Sequence, residues 1–325
     1  MTLLVLATGG TIASRLDEHG AVVPAVAPAD LLAAVPGLDA LGPLEVEEVA
    51  RVNGWNIDPA TMVRVAERAR AALLGGGVDG VVVTHGTDTV EETLYLTDLL
   101  AGEATDRGAI AFACAMRSGS DVAADGPRNL LHAAVVAAAP AARGRGALLC
   151  VNDEIHAAQW VTKTDTTNVS TFRSPPAGPV GAIERGRPRF FLDTPARPPR
   201  GGDVDLDVAL LKAYSGMDDR LLRHLVDGGV SGVVIEGTGA GNVPGALVPA
   251  IERAIGSGVP VVIASRCWTG RTVPIYGGPG GGVTLDGLGV IRSNGLNGPK
   301  ARLALMVALG VTRDLEGLGA WFADA

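Results

Sequence analysis

Two stretches constrain the fold of this chain more than any other. "LLVLATGGT" (residues 3–11) and "GVVVTHGTDT" (80–89) each carry an unbroken apolar run into glycine and threonine. A run without polar alternation marks a strand buried on both faces, and such strands occur in parallel sheets covered by helices. Glycine at the exit permits φ > 0 and a close approach of backbone to ligand. In that architecture ligands sit beyond the carboxyl ends of the strands, so two exits of the same kind point to one shared site.

The intervening segments complete a βαβα alternation. Helices are expected at "PADLLAAV" (28–35) and at "PATMVRVAERARAALL" (59–74), the second with Asp58 as N-cap, Pro59 at the first helical position and Gly75 beyond its end. "VEETLYLTDLL" (90–100) has helical spacing with acids in its first turn, and strands at 110–114 and 147–151 bracket an Ala-rich helix near 128–139. The fold class expected is α/β, a doubly wound parallel sheet. Composition agrees: 47% hydrophobic but only 4% aromatic, an interior of Ala, Val, Leu and Gly. Between about 174 and 206 the pattern breaks into Pro, Gly and Arg, which places a domain boundary there. The division expected is an N-terminal α/β catalytic domain over 1–190, a linker over 191–206 and a smaller C-terminal α/β domain over 207–325. In the latter, strands are expected at 208–214, 232–242 and 259–267, helices near 218–227 and 246–256, and a final helix at 298–310. "YGGPGGG" (276–282) reads as a mobile or tightly turned loop.

Several function classes are disfavoured. A net charge of −8 without a Lys/Arg-rich run argues against nucleic acid or anionic membrane as partner, leaving a small molecule. Cys114, Cys150 and Cys267 lie in apolar runs without CxxC spacing and read as buried free thiols, so no metal site is expected. "GTGAGN" (237–242) lacks the third glycine of the dinucleotide fingerprint, and no cofactor is expected. "MTLLVLATGG" has no basic n-region and too short an apolar run for a signal h-region or membrane span, so a cytoplasmic location is expected.

Each chemistry-bearing residue has a plain alternative. Thr11 falls where strand ends meet substrate, yet a turn threonine also caps its own backbone. Thr84, Thr87, Asp88 and Thr89 cluster at a strand-to-helix turn that can hold an oxyanion and place a nucleophile or water, while Asp88 or Thr89 can equally serve as N-cap. His85 is a candidate base or a structural histidine. Lys163, alone among hydroxyl residues in "WVTKTDTTNVSTF" (160–172), is a candidate proton carrier or one half of a surface ion pair.

Four motifs in register, "LATGGTIAS", "VVVTHGTDTVEET", "AMRSGSDVAADGPRNL" and "VTKTDTTNVSTF", resemble the successive signatures of the bacterial L-asparaginase family. "SNGLNGPKAR" (293–302) is similar to its C-terminal helix entry, so the likeness runs from residue 4 to about 310. The resemblance implies two-step amide hydrolysis, with Thr11 as nucleophile, Thr87 orienting water or stabilising the oxyanion, Lys163 shuttling the proton and Asp88 holding the substrate α-ammonium. It implies substrate contacts at Gly10 and Gly86 and at the backbone of Ala115. It also implies that Asn242 comes from a neighbouring subunit of a homodimer or homotetramer, and that His85 is structural.

The departures lie at substrate recognition. Where the family commonly carries a serine and a polar residue for the α-carboxylate, this chain has Gly54 and Trp55, in "VNGWNID", with Asn53 or Asn56 as possible substitutes. The lid segment "RLDEHGAVVPAV" has no tyrosine. Ser118 stands where a proline is usual, and Gln159 and Trp160 where an Arg–Asp pair is common. Hydrolysis of L-asparagine is therefore the leading expectation, with another small amide (glutamine, a D-isomer, a substituted amide) or a non-catalytic amino-acid sensor as alternatives.

Overall fold

The computed structural model describes residues 1–19, 21–195 and 203–324. The chain divides into two compact units, Met1–Pro195 and Ala196–Ala325. Residues 196–202 of the segment expected as a linker lie outside the described residues.

The first unit opens with β1 (Leu3–Gly9), a 3-10 turn at Thr11–Ala13 and a small hairpin, β2 (Ser14–Leu16) with β3 (Val22–Pro24). Then come α1 (Pro28–Ala33), β4 (Leu44–Val52), α2 (Pro59–Leu74), β5 (Gly80–Thr84), α3 (Val90–Ala101), β6 (Ala109–Ala113), α4 (Gly126–Ala137) and β7 (Ala147–Val151). Asp58 caps α2 as expected, its carboxylate accepting from Thr61 N at 2.7 Å. Beyond β7 follow β8 (Glu154–Ala157), the short ribbon β9 (Thr162–Lys163) with β10 (Phe172–Arg173), and a hairpin of β11 (Gly181–Glu184) and β12 (Arg187–Phe190).

The main sheet has the order β12-β11-β8-β7-β6-β5-β1-β4. Its strands β4, β1, β5, β6 and β7 are parallel, whereas β8, β11 and β12 extend it antiparallel. Every residue of β1, β5, β6 and β7 is buried, which is why these strands read as unbroken apolar runs. Two parts of the sheet depart from expectation. β4, "LEVEEVARV", is an edge strand whose Glu45, Glu48 and Arg51 face solvent, so it shows no strand-like apolar run. The Pro- and Arg-containing segment 181–190, which falls inside the pattern break expected over 174–206, pairs with β8 as a hairpin.

The second unit is a four-stranded parallel sheet in sequential order: β13 (Val208–Lys212), β14 (Gly232–Gly237), β15 (Val261–Ser265) and β16 (Ile291–Arg292). With it go α5 (Arg220–Asp227), α6 (Val248–Gly256), α7 (Gly282–Gly287), α8 (Gly298–Leu309) and α9 (Leu315–Asp324). Helix α8 starts at Asn297, whose side chain accepts from Lys300 N, but it is not the final helix: α9 follows and buries Trp321 and Phe322. Residues 276–281 form a tight turn in which Gly278 and Gly280 have φ near +80°. Cys114 and Cys150 are buried, but Cys267 is exposed, contrary to the expectation for all three thiols. No described helix is long and apolar enough to cross a membrane.

His85, the residue after β5, anchors that strand's exit. Its Nδ1 lies 2.8 Å from Gly86 O and its Nε2 2.8 Å from Thr93 Oγ1, so Nδ1 donates and Nε2 accepts. The ring is fully buried, and desolvation pushes its pKa down to about 4. The folded state therefore holds it neutral, and the unfolded chain binds the extra proton. Stability falls as pH drops from about 6.5 towards 4, with this one group contributing a loss of about 2 kcal/mol between pH 7.5 and 5. Urea denaturation at the two pH values checks this, and His85→Gln is expected to remove that part of the pH dependence.

Candidate active site

Among the parallel strands, β1 lies between β4 and β5, so chain order reverses at β1. A crevice opens at such a switch point, beyond the carboxyl ends of the strands, and both glycine–threonine exits lie there. The segments leaving β1, β4 and β5 meet through bare backbone. A Cβ on Gly10, whose φ is +80°, would lie 2.4 Å from Gly86 N, and one on Gly86 would lie 2.8 Å from Gly54 Cα. Side chains are excluded at this junction by space as much as by dihedral angle. It is tied by Gly10 N donating to Val52 O at 3.0 Å and by Thr8 Oγ1 donating to Thr84 O at 2.8 Å.

Over this floor lies a cavity of about 160 Å³. Thr11, Thr87, Asp88 and Lys163 all line it, as do Gly10, Gly54, Trp55 and Gly86. Thr11 opens the 3-10 turn after β1, and its hydroxyl has no hydrogen-bond partner among the described residues, so it does not cap its turn. Lys163, on β9, reaches back to the β5–α3 turn. Its Nζ donates to Thr87 Oγ1 at 2.9 Å and to Asp88 Oδ1 at 2.7 Å. The lysine side chain is 16% exposed and that of Asp88 47%, so the pair is half-buried at the cavity. Among the described residues, Asp88 and Lys163 are the only charged ones lining the cavity.

Neither Asp88 nor Thr89 caps α3. Asp88 faces Lys163, and Thr89 Oγ1 donates to Gly54 O at 2.6 Å. An N-cap side chain contributes about 1 kcal/mol, and here both candidates are directed elsewhere. The alternative in which these residues serve the helix alone does not hold.

Two expected residues lie outside the lining. Ala115 is buried, and the neighbouring Met116 lines the cavity instead. The turn carrying Met116 is held by Asp125, which accepts from Met116 N at 3.1 Å and Arg117 N at 2.9 Å. Asn242 belongs to the second unit, where its Oδ1 accepts from Gly282 N at 3.1 Å. Of the two asparagines flanking Gly54 and Trp55, Asn53 lines the cavity and Asn56 does not. Trp55, 64% exposed, stands at the cavity with its ring largely in solvent. Ser118 is buried and its amide bonds Asp121, while Trp160 packs against the first unit's core. Met116 and Thr166 were not singled out from the sequence, because an apolar residue and one hydroxyl among several carry no distinguishing signal. Glu91 has the sequence signature of a helix-start acid alone, but its Oε2 accepts from Lys163 N at 3.0 Å. Burial pushes the thiol of Cys114 well up, which keeps it a neutral core group.

Comparison with known proteins gives this geometry a family. The family model "Asparaginase, N-terminal" matches residues 2–196 and "Glutaminase/Asparaginase C-terminal domain" matches residues 207–322. "L-asparaginase 2" of Bacillus subtilis is 33% identical over 98% of this chain and 85% of its own length. "Probable L-asparaginase" of Deinococcus radiodurans is 36% identical over 97% of this chain and 95% of its own. The crystal structure of a "Probable Cytoplasmic L-asparaginase" from Campylobacter jejuni superposes with a TM-score of 0.87 at 29% identity, covering 100% of this chain and 99% of that one. With both domain models matched in order and relatives aligned almost end to end, the chain belongs to the asparaginase family of amidohydrolases.

Proposed function

We propose that this chain hydrolyses the side-chain amide of L-asparagine, giving L-aspartate and ammonia through a threonine acyl-enzyme. The observation that carries the proposal is the placement of Lys163 Nζ between Thr87 and Asp88, in the cavity where Thr11 presents an unpartnered hydroxyl. In the first step Thr11 Oγ1 bonds to the amide carbon, the C–N bond breaks, and the departing nitrogen takes up the proton as ammonia. In the second, water oriented by Thr87 cleaves the ester and returns the proton to Thr11. Lys163 moves the proton between these groups, held by two hydrogen bonds that fix its Nζ. Asp88 Oδ1 is committed to Lys163, which leaves Oδ2 for the substrate α-ammonium. Gly10 and Gly86 let the substrate sit against the backbone.

Assembly as a homodimer or homotetramer, with Asn242 serving a neighbouring subunit's site, belongs to the same proposal, as does a cytoplasmic location. A second substrate reading is favoured by the recognition turn. With Gly54 offering no side chain and Trp55 exposed at the cavity, a substituted or larger amide would stack on the indole ring.

Ammonia release measured on L-asparagine, D-asparagine, L-glutamine and substituted amides tests both readings. Thr11→Ala is expected to lower kcat by at least about 10³-fold, and Lys163→Met by roughly 10²- to 10⁴-fold. Full activity in either variant would refute the assigned roles. Thr11-dependent turnover confined to substituted amides would select the second reading, and binding without any turnover would mark the chain as a sensor. Trp55→Ala is expected to raise KM for a substituted amide by a larger factor than for L-asparagine.

A further inference from the structure

The hydrogen bonds made by the first turn of α3 point beyond the residues that line the cavity. Thr87 and Asp88 end the β5–α3 turn, Thr89 is the helix-start residue and Glu91 lies in the first turn. Thr89 Oγ1 donates to Gly54 O at 2.6 Å, gripping the turn that carries Gly54 and Trp55. Glu91 Oε2 accepts from Lys163 N at 3.0 Å, gripping the strand that carries the lysine. That strand needs a grip: β9 is two residues long and pairs only with β10 in a separate two-stranded sheet. A carboxylate accepting from an amide is charge-assisted and stronger than a neutral pair, and the helix N-terminus favours the negative charge there.

We propose that Glu91 and Thr89 are positioning residues, two jaws of one clamp on α3. Glu91 sets the reach of Lys163 to Thr87 and Asp88, and Thr89 sets the Gly54–Trp55 wall against which substrate lies. This rests on the amidohydrolase reading above for its kinetic consequences, though not for its structural one. The jaws act on different parts of the reaction. Losing Glu91 shifts a proton carrier and lowers kcat, whereas losing Thr89 loosens the substrate wall and raises KM.

The test is a set of four variants with two readouts. Glu91→Ala is expected to lower kcat by about 10- to 100-fold with KM within about threefold, and Glu91→Gln, which keeps a carbonyl acceptor, to recover most of that loss. Thr89→Val is expected to raise KM by about 10-fold with kcat nearly unchanged, and Thr89→Ser to restore it. A Gln variant no better than Ala, or Ala and Val variants with wild-type kcat and KM, would overturn the clamp. The second readout needs no turnover: a crystal structure of Glu91→Ala should show Nζ withdrawn from Thr87 Oγ1 beyond hydrogen-bond reach. A lysine still seated at 2.9 Å overturns the clamp whatever the enzyme hydrolyses. Wild-type protein without amide hydrolysis, paired with a withdrawn lysine in the variant, sinks the catalytic reading and leaves the clamp standing.

Discussion

The site depends on one close approach, the meeting of three chain segments at Gly10, Gly54 and Gly86 with no side chain between them. Strand order brings the segments together, because β1 lies between β4 and β5. Only backbone can fill the space that remains, and the result is a floor of peptide groups rather than of methyls. Thr11 stands on one segment, Thr87 and Asp88 on a second, and Trp55 on a third. Their mutual placement is therefore a property of the junction and of the sheet beneath it, not of three independent loops. A Cβ at Gly54 would lie 3.2 Å from Gly86 Cα, tight but short of the overlap at Gly10, so this third position tolerates change better than the other two.

The polar groups above that floor show how the β5–α3 turn divides its work. His85 turns inward and is satisfied by Gly86 and Thr93, so a buried, neutral imidazole holds the strand exit rigid. Thr87 and Asp88 face Lys163, and Thr89 faces the Gly54–Trp55 turn. The four side chains among the five residues after Thr84 are thus directed three ways. Preorganisation of this kind asks for a rigid scaffold under a polar cavity, which a fully buried parallel sheet supplies.

Much of this was legible in the sequence wherever a single physical cause dominated. β1 and β5 were readable because burial on both faces leaves an unbroken apolar run. The α2 cap was readable because Asp58 and Pro59 act locally. β4 escaped because an exposed edge carries Glu45, Glu48 and Arg51, and charge on an edge strand looks like loop. The 181–190 hairpin escaped because Gly181 and Pro188 at a sheet margin look like a linker. The residue pattern marked Thr11, Thr87, Asp88 and Lys163 as candidates, resemblance to a family gave them roles, and all four line one cavity. Neither supplied Met116, which takes the lining position next to Ala115. Glu91 was invisible for a different reason: an acid in a first turn already has a sufficient local explanation, so nothing flagged its bond to a strand 72 residues away.

The ribbon that carries Lys163 has a consequence of its own. The hydroxyls of Thr11 and Thr87 hang from the most deeply buried part of the molecule, but the lysine sits on two paired residues outside the main sheet. Segments with few ladder bonds open at far lower free energy than the strands of a core. Lys163 can therefore leave its place through a local excursion while the sheet stays intact. On warming, Lys163 is expected to part from Thr87 and Asp88 before the sheet melts, and amide exchange at Lys163 and Phe172 to run ahead of exchange in β5.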